Sequence, residues 1–304
     1  MRDILKVNSL PLLEKQDLEK MDLYAGFIPI SSKVHYFHTF IRDVAQKPTQ
    51  KVYSFFDYIN SGVIQIVFWF NGGPGCTSMD GMFLENGPLR FDLIDKSNLK
   101  LKINQEGWWR DAGLVFVDQP PQTGYSLGSL ETTLPPVIDY FIIFLEEFFS
   151  IYKEYTKPEI YLAGESYAGV WVPNFAAKMV EKSLPIKGIL LVNPWIDPLY
   201  QYPAILKYSQ EKNLLPGHWL DNAKVQTETC LKSMAPLVEL NMYSQCERII
   251  EMVLDASKDD GKFCINKYDY TLRDHGYTID LCIIDLIVVK MKGVACHGLM
   301  ESLN

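Results

Sequence analysis

The sequence predicts an α/β protein built on a mostly parallel central sheet with a helical cap, and three observations predict it. Four apolar runs of strand length recur: "VIQIVFWF" (63–70), "AGLVFVDQP" (112–120), "EIYLAGES" (159–166) and "IKGILLVNPWIDP" (186–198). Strands covered on both faces read as unbroken apolar runs, whereas half-wet strands alternate. Stretches of helical length separate the runs, and strands alternating with helices wind into parallel sheets. Beyond about residue 205 the periodicity becomes helical and broken, as in "VQTETCLKSM" and "QCERIIEMVLDAS".

Taken in order, "YAGFIPI", "KVHYFHTFIRDVAQ" and "KVYSFFDYI" predict short antiparallel strands ahead of the parallel sheet. "PVIDYFIIFLEEFFSIYKEY" (136–155) has helical length and an acidic patch, with Pro136 near its start. "YAGVWVPNFAAKMVEKS" (167–183) reads as the helix after the third run, although Pro173 sits in its early part. The division expected is a core over 1–204, and a helical cap or insertion with a divergent tail over 205–304. No repeat or low-complexity linker is visible.

Composition narrows the classes. The chain has 304 residues, 48% of them hydrophobic and 13% aromatic, which is globular composition with room for a sizeable core. A formal net charge of -8 with no dense Lys/Arg run argues against a nucleic-acid partner. An acidic surface suits basic peptides, or serves solubility alone. No apolar run reaches the roughly 18–20 residues of a membrane span. The N-terminus "MRDILKVNSLPLLEKQDLEK" shows no apolar core of a signal peptide, and no N-x-Ser/Thr sequon occurs. The cysteines point the other way. Of six, five (Cys230, Cys246, Cys264, Cys282 and Cys296) crowd into 230–304, the pattern of a disulfide-stapled subregion in an oxidising compartment. A zinc site is the competitor, but no C-x-x-C pair occurs and His275 and His297 lack ligand spacing. No metal and no cofactor is expected, and nothing sets an oligomeric state.

Two stretches carry chemistry. "GESYAG" (164–169) ends the third apolar run and opens the helix after it. G-x-S-x-G is the nucleophile elbow of α/β hydrolases, where a strained strand-to-helix turn lifts a serine above the sheet. Gly164, Ala168 and Gly169 leave room for that turn, with Ser166 at its apex. "WFNGGPGCTSMDG" (69–81) also follows a run, and its glycines and proline impose a turn. Such a loop exposes N–H groups to an anion. A phosphate cradle is one reading, but the Walker lysine and G-x-G-x-x-G spacing are missing. Beside an elbow, the loop reads as an oxyanion hole whose two donors are the N–H groups of Gly73 and Tyr167.

"WFNGGPGCTSMDGMFLENGP", "VFVDQPPQTGYS", "GESYAGVWVP" and "NPWIDP", in this order and spacing, resemble the serine carboxypeptidases over roughly residues 22–282. "AGFIPI" and "SMDG" make the chain similar, within that family, to fungal carboxypeptidases that trim Lys and Arg from pheromone precursors. The resemblance implies an α/β-hydrolase fold, an acyl-enzyme at Ser166, peptide or protein C-termini as substrate, and the secretory pathway (Golgi, vacuole or extracellular). It also implies that Asn71, Gly72, Glu85 and Glu165 hold the peptide's terminal carboxylate, with Trp69 at the base. Two neighbouring carboxyls can do so only by sharing protons, which favours acidic pH. Asp80, by its place in "SMDG", is expected near the pocket for the departing residue, where a carboxylate would pair with Lys or Arg. The competing reading makes Asp80 a helix cap. Plant acyltransferases share the scaffold, so fold alone does not fix the reaction.

Departures from the family pattern are Thr77 for serine, Pro121 and Gln122 in "PPQTGYS", and Pro194 for glycine. The family's catalytic Asp and His follow the cap, and the chain is expected to stop short of them. After Ser166 only His218, His275 and His297 remain, none in a family-like setting. The 304 residues alone are therefore expected to turn over little, the alternative function being an inactive remnant or a protein that binds C-termini. In the family the cysteine of "GGPGC" is tied to one far downstream; here bridges are expected within 230–282, with Cys76 left open.

Overall fold

A computed structural model describes residues 2–45, 65–92, 100–155, 158–234, 244–258 and 263–274. They form two compact units, one through Pro194 and one from Trp195.

The first unit opens with α1 (Arg2–Leu5) and α2 (Lys15–Leu18), then β1 (Met21–Pro29), β2 (His35–Asp43) and β3 (Gln65–Phe70). There follow α3 (Met79–Leu84), the strands β4 (Leu89–Asp92) and β5 (Lys100–Ile103), and β6 (Gly113–Val117). The unit closes with α4 (Leu134–Ile151), β7 (Glu159–Glu165), α5 (Ala168–Glu181) and β8 (Gly188–Val192). Six strands make one sheet in the order β1-β2-β6-β3-β7-β8. The pairs β6/β3, β3/β7 and β7/β8 are parallel, while β1/β2 and β2/β6 are antiparallel. The sheet is thus parallel through its working half, with the antiparallel pair ahead of it that "YAGFIPI" and "KVHYFHTF" predict. "KVYSFFDYI" lies outside the described residues.

Alternation along the central strands sorts their side chains between two faces. Phe68 and Phe70 meet Phe141, Phe148 and Phe175 of α4 and α5 at ring separations of 5.2 to 6.2 Å. Val137, Phe141, Ile142, Phe144, Leu145 and Phe148 form the buried stripe of α4, the spacing of a helix lying on a sheet. On the opposite face Val67, Trp69, Leu114, Phe116, Tyr161 and Ala163 pack with Met79, Met82, Leu89 and Trp109. Pro173 stays within α5, which runs unbroken to Glu181.

The second unit is mainly helical: α6 (Pro198–Glu211), α7 (His218–Ser233) and α8 (Ser244–Ala256), then the short pair β9 (Cys264–Ile265) and β10 (Arg273–Asp274). Leu215, Ala223, Met252, Val253, Leu254 and Ile265 fill its core. Its first helix starts at Pro198, ahead of the change in periodicity near 205. A Cys230–Cys246 disulfide ties α7 to α8, within the 230–282 span expected, while Cys264 is buried and free. Cys76 corrects the expectation that it stays open: it is disulfide-bonded. No described helix is long and apolar enough to cross a membrane.

Candidate active site

The site grows from the carboxyl ends of the parallel strands. Trp69, Phe116 and Ala163 share one face, so the next residues of that parity are Asn71, Asp118 and Glu165. Register places them side by side, because Trp69 pairs with Phe116 and Phe70 with Gly164. A polar row, Asp118–Asn71–Glu165, therefore crosses three neighbouring strand ends, where open α/β sheets place their ligands.

Asn71 is the centre of the row. It is 3% exposed, and its side-chain oxygen accepts from Trp69 Nε1 at 2.8 Å and from Gly81 N at 3.2 Å. Its Nδ2 donates to Glu85 Oε1 and to Glu165 Oε1, each at 3.0 Å. Burial and the Glu165 charge push Glu85 up to about 8, and burial also raises Glu165. Each carboxyl takes one hydrogen of the amide, and with Glu85 at about 8 the pair keeps a proton at neutral pH. Trp69, Glu85 and Glu165, expected with Asn71 and Gly72 at the carboxylate site, thus all meet at Asn71, with Gly72 adjoining it.

Ser166 has φ 55 and is exposed between the half-buried Glu165 and the buried Tyr167, the geometry of an elbow. Its N–H donates to Val192 O at 3.2 Å, so that amide is committed to β8. An oxyanion donor must then come from the following residue. Gly72 lies against the turn: a Cβ there would stand 2.6 Å from Tyr167 N and 2.8 Å from Ser166 Cβ. Gly73 has φ 107, and the Cys76 N–H closes the turn on Gly72 O at 3.2 Å. The glycine loop and the elbow are in contact, as the oxyanion reading requires.

Asp80 is the second residue of α3, and Ser78 holds the N-cap position. That corrects the reading of Asp80 as the helix cap. Its carboxyl makes no hydrogen bond or ion pair among the described residues. Burial first, then the charges of Asp118 and Glu165, push it up to about 7.

Asp118 was not legible as a site residue. It is fully buried and accepts from Thr77 Oγ1 at 2.7 Å, Ser78 N at 2.9 Å and Tyr125 N at 3.0 Å. Thr77 in place of the family's serine keeps the hydroxyl that makes the first of these bonds. Gln122 has φ 72 and donates from its backbone to Ser126 O, so the unusual "PPQ" forms a closed turn. His218, the only described histidine after Ser166, begins α7 in the second unit; His275 and His297 lie outside the described residues.

A parallel sheet, a strand-to-helix serine elbow and a glycine loop against it define an α/β hydrolase-type protein. The serine carboxypeptidase family profile matches residues 11–291, further at both ends than the 22–282 read from motifs. The chain belongs to that family. It is 35% identical over 295 residues to the pheromone-processing carboxypeptidase KEX1 of Arthroderma otae, covering 91% of this chain and 42% of that protein. It is 34% identical over 284 residues to the protein of the same name from Fusarium vanettenii, covering 88% and 43%. The crystal structure of Kex1(delta)p, a prohormone-processing carboxypeptidase from Saccharomyces cerevisiae, superposes with TM-score 0.70 at 26% identity, covering 91% of this chain and 62% of that one. The chain thus spans about two fifths of the length of these curated relatives.

Proposed function

We propose that the chain carries the nucleophile and substrate-binding part of a serine carboxypeptidase that removes C-terminal residues from peptides and proteins. One observation carries this reading: the single Asn71 amide shared by Glu85 and Glu165, beside an exposed serine in elbow geometry. Ser166 Oγ attacks the terminal peptide carbonyl, its proton passing to the departing nitrogen through a base that no described residue supplies, and the N–H groups of Gly73 and Tyr167 receive the charge on the carbonyl oxygen. Collapse of that intermediate releases the terminal residue as an amine and leaves an acyl-enzyme, which water hydrolyses. Both Nδ2 hydrogens of Asn71 face glutamates, so the substrate's carboxylate meets the protonated Glu85 carboxyl and the Gly72 N–H, above Trp69. Because Glu85 keeps its proton up to about 8, binding of the carboxylate should weaken above that pH. Lys or Arg as the departing residue suits Asp80, whose unpaired and half-buried carboxyl a cation would compensate. The substrate is a peptide C-terminus in an oxidising, secretory compartment, and the Cys230–Cys246 bridge supports that setting.

A second reading, a protein that binds C-termini without turnover, draws on the Ser166 hydroxyl, which hydrogen-bonds no described residue. A fluorophosphonate probe and a peptide ending in Lys separate the two in the native protein. Labelling of Ser166 with release of lysine, both lost in Ser166→Ala, supports the enzyme. Peptide binding without labelling supports the binding protein. Neither labelling nor a preference for the free acid over its amide refutes both.

A further inference from the structure

Asp118 holds together two segments that the sequence places forty residues apart. Its carboxylate oxygens accept three hydrogen bonds: Thr77 Oγ1 and Ser78 N from the far end of the glycine loop, and Tyr125 N from the 118–126 loop. No cation is ion-paired with it among the described residues; burial pushes it up to about 6, and above that pH its charge is met by these donors. Gly124 has φ 53, and a Cβ there would collide with Asp118 Oδ2, so a side chain at 124 would break the approach. Ser78 relays the hold: its Oγ donates to Val117 O at 2.7 Å and accepts from Asn71 N at 3.1 Å. Both ends of the glycine loop, Asn71 and Thr77–Ser78, are thereby fixed to the end of β6.

We infer that Asp118 is the positioning residue of the site. Its three accepted hydrogen bonds fix the loop that presents Gly72 to a peptide's terminal carboxylate and Gly73 to the oxyanion, and that holds Asn71 against Glu85 and Glu165. The inference rests on the carboxylate-binding reading of Asn71, Glu85 and Glu165, and adds to it a residue that touches no substrate. A buried carboxylate suits this task because hydrogen bonds to an ionised acceptor are short and strong. An apolar residue of the same size would leave Ser78 N and Tyr125 N buried without partners.

The test uses Asp118→Asn, Thr77→Val and Thr77→Ser in the full chain. Hydrogen exchange of amides 71–73 and 75–78 reads the loop directly. Calorimetric titration with N-acetyl-Ala-Lys and with its C-terminal amide reads the site. Loss of one hydrogen bond to a charged group is expected to speed loop exchange about tenfold, and to cut the acid-over-amide preference about tenfold, in Asp118→Asn and Thr77→Val. Thr77→Ser restores the hydroxyl and should behave as wild type in both. General destabilisation would weaken acid and amide binding alike and leave their ratio unchanged. Wild-type loop exchange in Asp118→Asn and Thr77→Val overturns the inference, as does a Thr77→Ser chain as loose as Thr77→Val. Should Asp118→Asn not fold, the two Thr77 variants decide alone. A wild-type chain with no preference for the acid sinks the carboxylate reading, and the exchange measurement still decides on Asp118.

Discussion

Glu85→Gln separates a proton-sharing carboxyl pair from two independent surface carboxylates. Glu85 and Glu165 each take one hydrogen of Asn71 Nδ2, and burial with the Glu165 charge lifts Glu85 from 4.5 to about 8. A proton held more tightly by the folded chain than by the unfolded one stabilises the fold while it is bound. The contribution is complete below pH 4.5, declines as pH rises, and is gone above about 8. At about 1.4 kcal/mol per unit the interval amounts to about 5 kcal/mol. Water at the half-buried rim lowers that to on the order of 3 kcal/mol. Glutamine keeps an oxygen for Asn71 and carries no proton to lose, and it also relieves Glu165 of a charged neighbour. Urea unfolding of both chains at pH 5, 7 and 9 gives the comparison. The variant should match or trail wild type at pH 5 and lead it by on the order of 3 kcal/mol at pH 9. A difference that stays constant across the range would refute a shared proton.

Two further outcomes follow from the geometry. His38 is fully buried, and because Gly26 O can only accept, the ring donates from Nδ1 at 2.9 Å and accepts the Tyr152 hydroxyl at Nε2, 3.1 Å away. Burial lowers it from 6.5 to about 4, so the neutral ring stabilises the fold above pH 6.5 and that contribution fades as pH falls towards 4. His38→Gln should remove about 3 kcal/mol of this dependence, read as the wild-type-minus-variant difference between pH 7 and pH 4. Gly72→Ala places a methyl 2.6 Å from Tyr167 N, so backbone must move. Urea unfolding should show a loss of about 1–3 kcal/mol, and titration a loss of acid-over-amide preference; an alanine chain that binds like wild type would show the loop is not packed on the elbow.

The central strands were legible because burial on both faces leaves a continuous apolar run, as in "VFWF" or "LVFV". The elbow was legible because its turn demands small residues at fixed offsets. Glu85 and Glu165 stand 14 and 94 residues from Asn71, and no spacing rule connects them; only resemblance to a family did. Asp118 escaped notice for the same reason, since two of its three donors are backbone amides, which any sequence supplies. Strand parity held the missing signal: one step of two beyond Trp69, Phe116 and Ala163 lands on the three polar residues. The β4–β5 pair was not seen, as "LRFD" and "KLKI" are too short to show a period. The Asp80 cap failed by position, because "TSMDG" offers Ser78 two residues earlier.

The serine's amide hangs on one of the two outer strands of the described sheet. Ser166 N reaches Val192 O, and β8 has β7 as its one partner among the described residues. The nucleophile's backbone is therefore only as steady as a margin of the sheet, where Ile189 is 44% exposed. That arrangement offers an engineering handle well away from the chemistry. A Cβ on Gly188 would rest 3.4 Å from the Tyr161 ring, an ordinary contact, so an alanine fits there and lowers the freedom of the unfolded chain. Stiffening the strand at Gly188 would steady Ser166 from four residues below its anchor, without altering a side chain that faces the peptide.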